Sequence, residues 1–121
     1  MRITTLETIL LNGGGNYQHG KSDYSSKLIE YNNGYMVSIK DIVKINLEAV
    51  STLNVLKVVH NIIDTFNIED TDAVYGFWID SGSMYIDMSL NVFNLEDAMQ
   101  VAKSTNQIAI WDCNLNESII L

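Results

Sequence analysis

From Ala73 to Val92 apolar and polar residues alternate on both sides of Ser81-Gly82. Alternation of period two marks a half-buried strand, and a glycine-containing pair between two such runs predicts a hairpin. With Ser81-Gly82 as the turn, Tyr75, Phe77 and Ile79 face Met88, Ile86 and Met84. This face is wholly aromatic and aliphatic, so it is core. The other face pairs Trp78 with Tyr85, Gly76 with Asp87 and Val74 with Ser89, and Asn91 follows on the same side. A slip of one residue would bury the polar set, so the pattern fixes the register.

The same reading orders the rest of the chain. Leu6, Ile9 and Leu10 recur at helical spacing, Thr4 and Glu7 form a capping-box pair, and Gly13–Gly15 stop the helix. Residues 16–26 are polar and read as a loop. The stretch 27–40 predicts a hairpin around Asn33-Gly34. Residues 41–48 alternate Ile42, Lys44 and Asn46 against Val43, Ile45 and Leu47, which predicts a third strand. The main helix starts at the N-cap Ser51. Its stripe is Leu53, Leu56, Val59, Ile63 and Phe66, widened by Val55, Val58 and Ile62. Residues 67–72 form an acidic loop. After the 73–92 hairpin, Asn94 with Asp97 caps a helix presenting Leu95, Ala98, Met99 and Ala102. A strand over 107–112, a turn and a closing strand over 117–121 end the chain. The predicted order is α-β-β-β-α-β-β-α-β-β, an α+β fold with mostly antiparallel strands, as one domain over residues 1–121.

Charge narrows the partners. The 121 residues carry a net charge of −8. Residues 1–44 hold five basic residues against four acids, whereas residues 45–121 hold two against eleven. Broad binding to DNA or RNA needs a basic surface and is not expected. Solvated acidic faces, a basic protein partner and mimicry of nucleic acid all fit this balance. No apolar run suits a membrane span or a secretory leader, and Cys113 has no second cysteine to pair with. A reducing cytoplasm is therefore the expected compartment.

Motifs for turnover are absent from the pattern. Gly20-Lys21-Ser22 lacks the upstream glycine of a phosphate loop. The acidic loop lacks the spacing of a calcium-binding hand. His60 beside the main helix stripe has no second ligand at i+3 or i+4, so no metal or other cofactor is expected. Asp80, Asp87 and Asp112 form a carboxylate pair only if adjacent strands bring them together. Binding without catalysis is the expectation. The second hairpin face has what a nucleoside site needs: Trp78 and Tyr85 to stack on a purine, and Asp87, Ser89 and Asn91 to exchange hydrogen bonds with ribose or base edges. A face covered by a helix, or a protein–protein interface, has the same composition.

Four stretches carry a family resemblance over nearly the whole chain: "ITTLETILLNGG", "GYMVSIK", "GFWIDSGSMYIDMS" and "AKSTNQIAIWD". Together they resemble the Thoeris anti-defence 1 family of phage proteins. The resemblance implies a sponge that sequesters cyclic ADP-ribose isomers made by bacterial TIR-domain enzymes, and in some members cyclic oligonucleotides, without cleaving them. It implies a homo-oligomer with the pocket between subunits. It also implies an aromatic stacker, here Phe77 or Trp78, and a polar partner, here Asp87 or Asn91. Asn106, Gln107 and Asp112 are secondary candidates. Basic residues on the pyrophosphate are implied too. Here the sequence departs from the pattern, because Arg2 is the one arginine and Lys103 is the lysine nearest those candidates. Lysines within residues 21–44 of a neighbouring subunit, or backbone N–H groups at a helix start, would have to fill that role. The competing expectation is an acidic phage protein that blocks a host defence protein by direct contact.

Overall fold

The computed structural model describes residues 1–22, 25–68 and 71–121. Its elements are α1 (Ile3–Asn12), β1 (Gly14–Gln18), β2 (Lys27–Ile29), β3 (Tyr35–Asn46), α2 (Thr52–Phe66), β4 (Val74–Asp80), β5 (Ser83–Val92), α3 (Leu95–Ser104), β6 (Ala109–Asp112) and β7 (Glu117–Ile120). This is the expected order of an α+β fold. The seven strands form one sheet, β2-β1-β4-β5-β3-β6-β7, and every neighbouring pair is antiparallel.

The β4–β5 hairpin forms in the predicted register: Tyr75 faces Met88, Phe77 faces Ile86, and Trp78 faces Tyr85. Ser81 and Gly82 both take positive φ (52° and 79°), the backbone that a two-residue turn between twisted strands requires. Tyr75, Phe77, Met84 and Ile86 are buried against Leu6 and Ile9 of α1 and Val55, Val59, Ile62 and Ile63 of α2. A second, smaller core joins Ala98 and Ala102 of α3 to Val37 and Ile110. Val37 is the cross-strand partner of Leu90, which belongs to the first core. The helices α1, α2 and α3 therefore cover one face of the sheet, and among the described residues no helix lies on the other.

Several local expectations are corrected. Residues 27–40 do not form a hairpin. Gly34 does take the positive φ (76°) expected of a turn, but β2 pairs with β1 while β3 inserts between β5 and β6. Residues 14–18 are a strand rather than part of a stop and a loop, because pairing with both β2 and β4 outweighs a polar, glycine-rich sequence. Residues 35–46 are one strand with register shifts between Ser38 and Lys40 and between Asp41 and Val43. Each bulge breaks the period of two, which is why the sequence reads as two strands. Thr4 and Glu7 do not form a capping box: Arg2 is the N-cap of α1 and makes no side-chain cap bond. In α2 the buried stripe is centred on Val55, Val59, Ile62 and Ile63, and Leu53 is exposed. Within the acidic loop, Glu69 and Asp70 lie outside the described residues.

Candidate functional site

The helix-free face is divided in two by the chain itself. Residues 30–34 connect β2 at one edge to β3, three strands further in than β1. Asn91 lies on the helix-free side of β5, and its amide nitrogen donates to the Asn33 carbonyl (3.0 Å). The Cys113 N–H donates to the Gly34 carbonyl (3.0 Å). The connection therefore passes over the helix-free face at the Val74 end of the hairpin. This explains why Val74 and Ser89, on the nominally wet side, are buried. Toward the Ser81-Gly82 turn the face stays open, and Trp78 is 58% exposed there.

That open end holds a row of three side chains on neighbouring strands. Trp78 of β4 and Tyr85 of β5 have ring centroids 5.1 Å apart, tilted by 33°. Lys44 of β3 is the cross-strand partner of Tyr85, and its Nζ stands 5.4 Å from the Tyr85 ring centroid. The arrangement offers aromatic surface beside a cation whose own attraction to the ring holds it in place.

Next along the face lies a carboxylate pair. Asp87 of β5 faces Gly76 on one side and Asp41 of β3 on the other. Gly76 is required by space, because a Cβ there would collide with the Asp87 Oδ1. The Ser89 hydroxyl donates to Asp87 Oδ1 at 2.6 Å, and the Ser38 hydroxyl donates to Asp41 Oδ1 at 3.4 Å. Burial pushes the Asp87 carboxyl above its ordinary pKa, and the Asp41 charge adds to the shift. Hydrogen bonds from Ser89, Ser38 and the Gly76 backbone oppose it.

The structure brings together Trp78, Tyr85, Asp87 and Ser89. It does not bring the other candidates to them. Phe77 is 4% exposed in the helix-side core and offers no face for stacking. Asn91 spends its amide on Asn33, with Met36 Sδ at 3.4 Å and Cys113 Sγ at 3.8 Å, so it anchors the crossing connection. Asn106 and Gln107 lie in the turn after α3, where the Gln107 N–H donates to the Ala102 carbonyl. Asp112 is buried and accepts from the N–H groups of Asn114 and Leu115, which fixes the β6–β7 turn. The three aspartates weighed as a carboxylate pair are apart: Asp80 is beside the hairpin turn opposite Ser83, and Asp112 is opposite Tyr35. The close carboxylate of Asp87 is Asp41.

Asp41 and Ser38 are residues that the sequence does not single out, and Lys44, one of the lysines expected to reach across from a neighbouring subunit, lies instead beside Tyr85 of its own chain. The alternation over 41–48 already set Lys44 opposite Ile45, so its outward direction was legible. That β3 is the neighbour of β5 was not.

The structure has two hollows besides, one on the helix side and one bordering the helix-free face. One, of about 280 Å³, lies at the start of α1 and is lined by Arg2, Lys27, Thr4, Thr8, Ser26 and Tyr17 among others. The other, of about 470 Å³, lies between the β1–β2 edge, the crossing connection and the β6–β7 turn. His60 is bound to the chain start, with Nε2 2.7 Å from the Met1 carbonyl oxygen. Among the described residues no group of three His, Cys, Asp or Glu side chains is placed to hold a metal ion, and no helix is long and apolar enough to cross a membrane. No family model, curated protein sequence or solved structure matches this chain.

Proposed function

We propose that this protein binds a purine-containing, phosphorylated small molecule on the open end of its sheet and holds it without turnover. The observation that carries this reading is the row Trp78–Tyr85–Lys44. A purine stacks on the exposed indole, and such stacking contributes about 1–3 kcal/mol per base. Lys44, from the same chain, supplies the positive charge for a phosphate, so no neighbouring subunit is needed for that contact. Asp87 and Asp41, beside the row, accept hydrogen bonds from ribose hydroxyls or an exocyclic amine.

The resemblance to the Thoeris anti-defence 1 family gives this ligand class its setting. In that reading the protein is a phage sponge in the cytoplasm of the infected cell. It sequesters cyclic ADP-ribose isomers, or cyclic oligonucleotides, as a homo-oligomer, and so silences bacterial immune signalling.

Calorimetry against cyclic ADP-ribose isomers and cyclic di- and trinucleotides tests the reading. Uptake of one ligand per subunit, recovered intact after heating, is the expected result. At a ligand concentration of about 100 Kd the folded state gains roughly 2.7 kcal/mol, visible as a raised Tm. Trp78→Ala and Lys44→Ala should each weaken binding by about tenfold or more, while the free variants melt within a few degrees of the parent because both side chains face solvent. Recovery of a cleaved product would replace the sponge by an enzyme. Binding that survives both substitutions would move the site off this face.

The net charge of −8 favours one further reading, an acidic inhibitor seated on a basic protein surface. Its dependence on salt separates it from the first.

A further inference from the structure

We infer that the groove between the β1–β2 edge, the crossing connection and the β6–β7 turn is a separate site for a compact organic cation, of the ammonium or quaternary ammonium class. It does not rest on the nucleotide reading: Trp78, Tyr85 and Lys44 do not line this groove, although Gly14, the cross-strand partner of Trp78, does.

The groove holds about 470 Å³, room for a small molecule. Its walls include Trp111, Tyr31, Glu30, Asn16, Asn116 and Met36. Trp111 stands on the same side of the sheet as Met36, its cross-strand partner, and is 43% exposed, so the indole is presented rather than packed away. Among aromatic side chains the indole face attracts a cation most strongly. Burial raises the Tyr31 phenol above its ordinary pKa, with Cys113 and Asp72 adding to the shift, so this second ring stays neutral.

Charge settles the sign of the ligand. Glu30 is the one charged side chain among the described lining residues, and no lysine, arginine or histidine is among them. An anion entering the groove would meet a carboxylate with no compensating cation beside it. A cation entering the groove would have the Trp111 and Tyr31 rings, one carboxylate, and amide oxygens able to accept from an N–H or hydroxyl group among its walls. The charge of −8 over the chain raises the local concentration of cations as well. The two sites are thus opposite in character, Lys44 beside Trp78 and Tyr85 in one, Glu30 with Trp111 and Tyr31 in the other.

The chain has two tryptophans, so Trp78→Phe leaves Trp111 as the sole indole reporter. Titrating this variant with choline and with 3,3-dimethylbutanol, the uncharged isostere of choline, reads the groove by fluorescence. Choline should give a saturable change, and 3,3-dimethylbutanol should bind about tenfold more weakly or not at all. Adding Glu30→Gln should weaken choline binding by roughly three- to tenfold. Glu30 is exposed, and unchanged circular dichroism and Tm would show that this variant folds. Equal affinity for the two probes would mean a plain apolar groove and overturn the inference. So would the absence of a saturable response to choline, or full retention of affinity in the Glu30→Gln variant.

Discussion

Asp87 is held where its charge is disfavoured. Burial raises its pKa first, and the Asp41 carboxylate directly across the ladder adds to the shift. The folded protein therefore keeps this proton to a higher pH than the unfolded chain does. Linkage gives the sign: the unfolding free energy falls as pH rises from the ordinary carboxylate range through the raised value. Stability is greatest on the acid side of that window. Asp87→Asn keeps the acceptor for Ser89 and removes the charge. Urea unfolding of both proteins across pH 4–8 should show the Asn variant gaining on the parent as pH rises. A gap that narrows toward neutral pH would reverse the assignment. At this scale the sequence was informative about direction and silent about surroundings. Trp78, Tyr85 and Asp87 were placed on one face by alternation alone. That Phe77 is core and that Asn91 is a tether depend on what lies above and below the sheet. Phe77 already paired with Ile86 on the core side, so its second role as a stacker conflicted with its own register.

Elements formed where local chemistry and packing agree. Asn94 accepts from the N–H groups of Glu96 (2.9 Å) and Asp97 (3.2 Å), and Glu96 and Asp97 put negative charge at the positive end of α3. Asn94→Ala should cost about 1–2 kcal/mol in chemical denaturation, and Asn94→Asp should restore most of it. A loss below a few tenths of a kcal/mol would mean that packing of Ala98 and Ala102 alone fixes the start of this helix. Ser51 plays the same part for α2, accepting from the Asn54 N–H at 3.3 Å. Both caps were legible in the sequence because capping is decided within four residues. The Asn33-Gly34 hairpin was not, for the complementary reason. A glycine with positive φ reports that the chain turns there and says nothing about which strand it then joins. Here the turn closes a connection over the face of the sheet, so β2 and β3 end up on opposite sides of the hairpin. The run Gly13–Gly15 predicts a stop, and Gly13 does cap α1 with its φ of 78°. Gly14 instead opens β1, at a place where only backbone fits beside Phe77.

For the whole molecule, charge along the chain and charge in space are different quantities. The basic share of residues 1–44 and the acidic share of residues 45–121 suggest two halves of opposite sign. The topology undoes that division by placing β3, with Lys40 and Lys44, between β5 and β6. Lys40 lies over the Phe66 ring on the helix side, 5.1 Å from its centroid, and Lys44 lies over Tyr85 on the helix-free side. Each lysine is seated on an aromatic ring, and the Asp41–Asp87 pair sits beside Lys44 rather than in a wide acidic sheet. This arrangement suits a small ligand that needs one cation and stacked rings better than a macromolecule that needs an extended field. The consequence is measurable as a salt dependence. Stacking is not screened, whereas the attraction of exposed charges fades once the Debye length drops from about 14 Å to about 4 Å, between roughly 0.05 and 0.5 M salt. A purine ligand held by Trp78 and Tyr85 with one lysine on its phosphate should lose only about threefold in affinity over that range. A basic protein bound through the acidic surface should lose on the order of a hundredfold or more. Calorimetry of the purified protein with its ligand at the two salt concentrations therefore assigns the binding energy either to the aromatic row or to the net charge of −8. A steep loss for the small ligand would place its affinity in Lys44 and the surrounding field, and would remove Trp78 from the centre of the site.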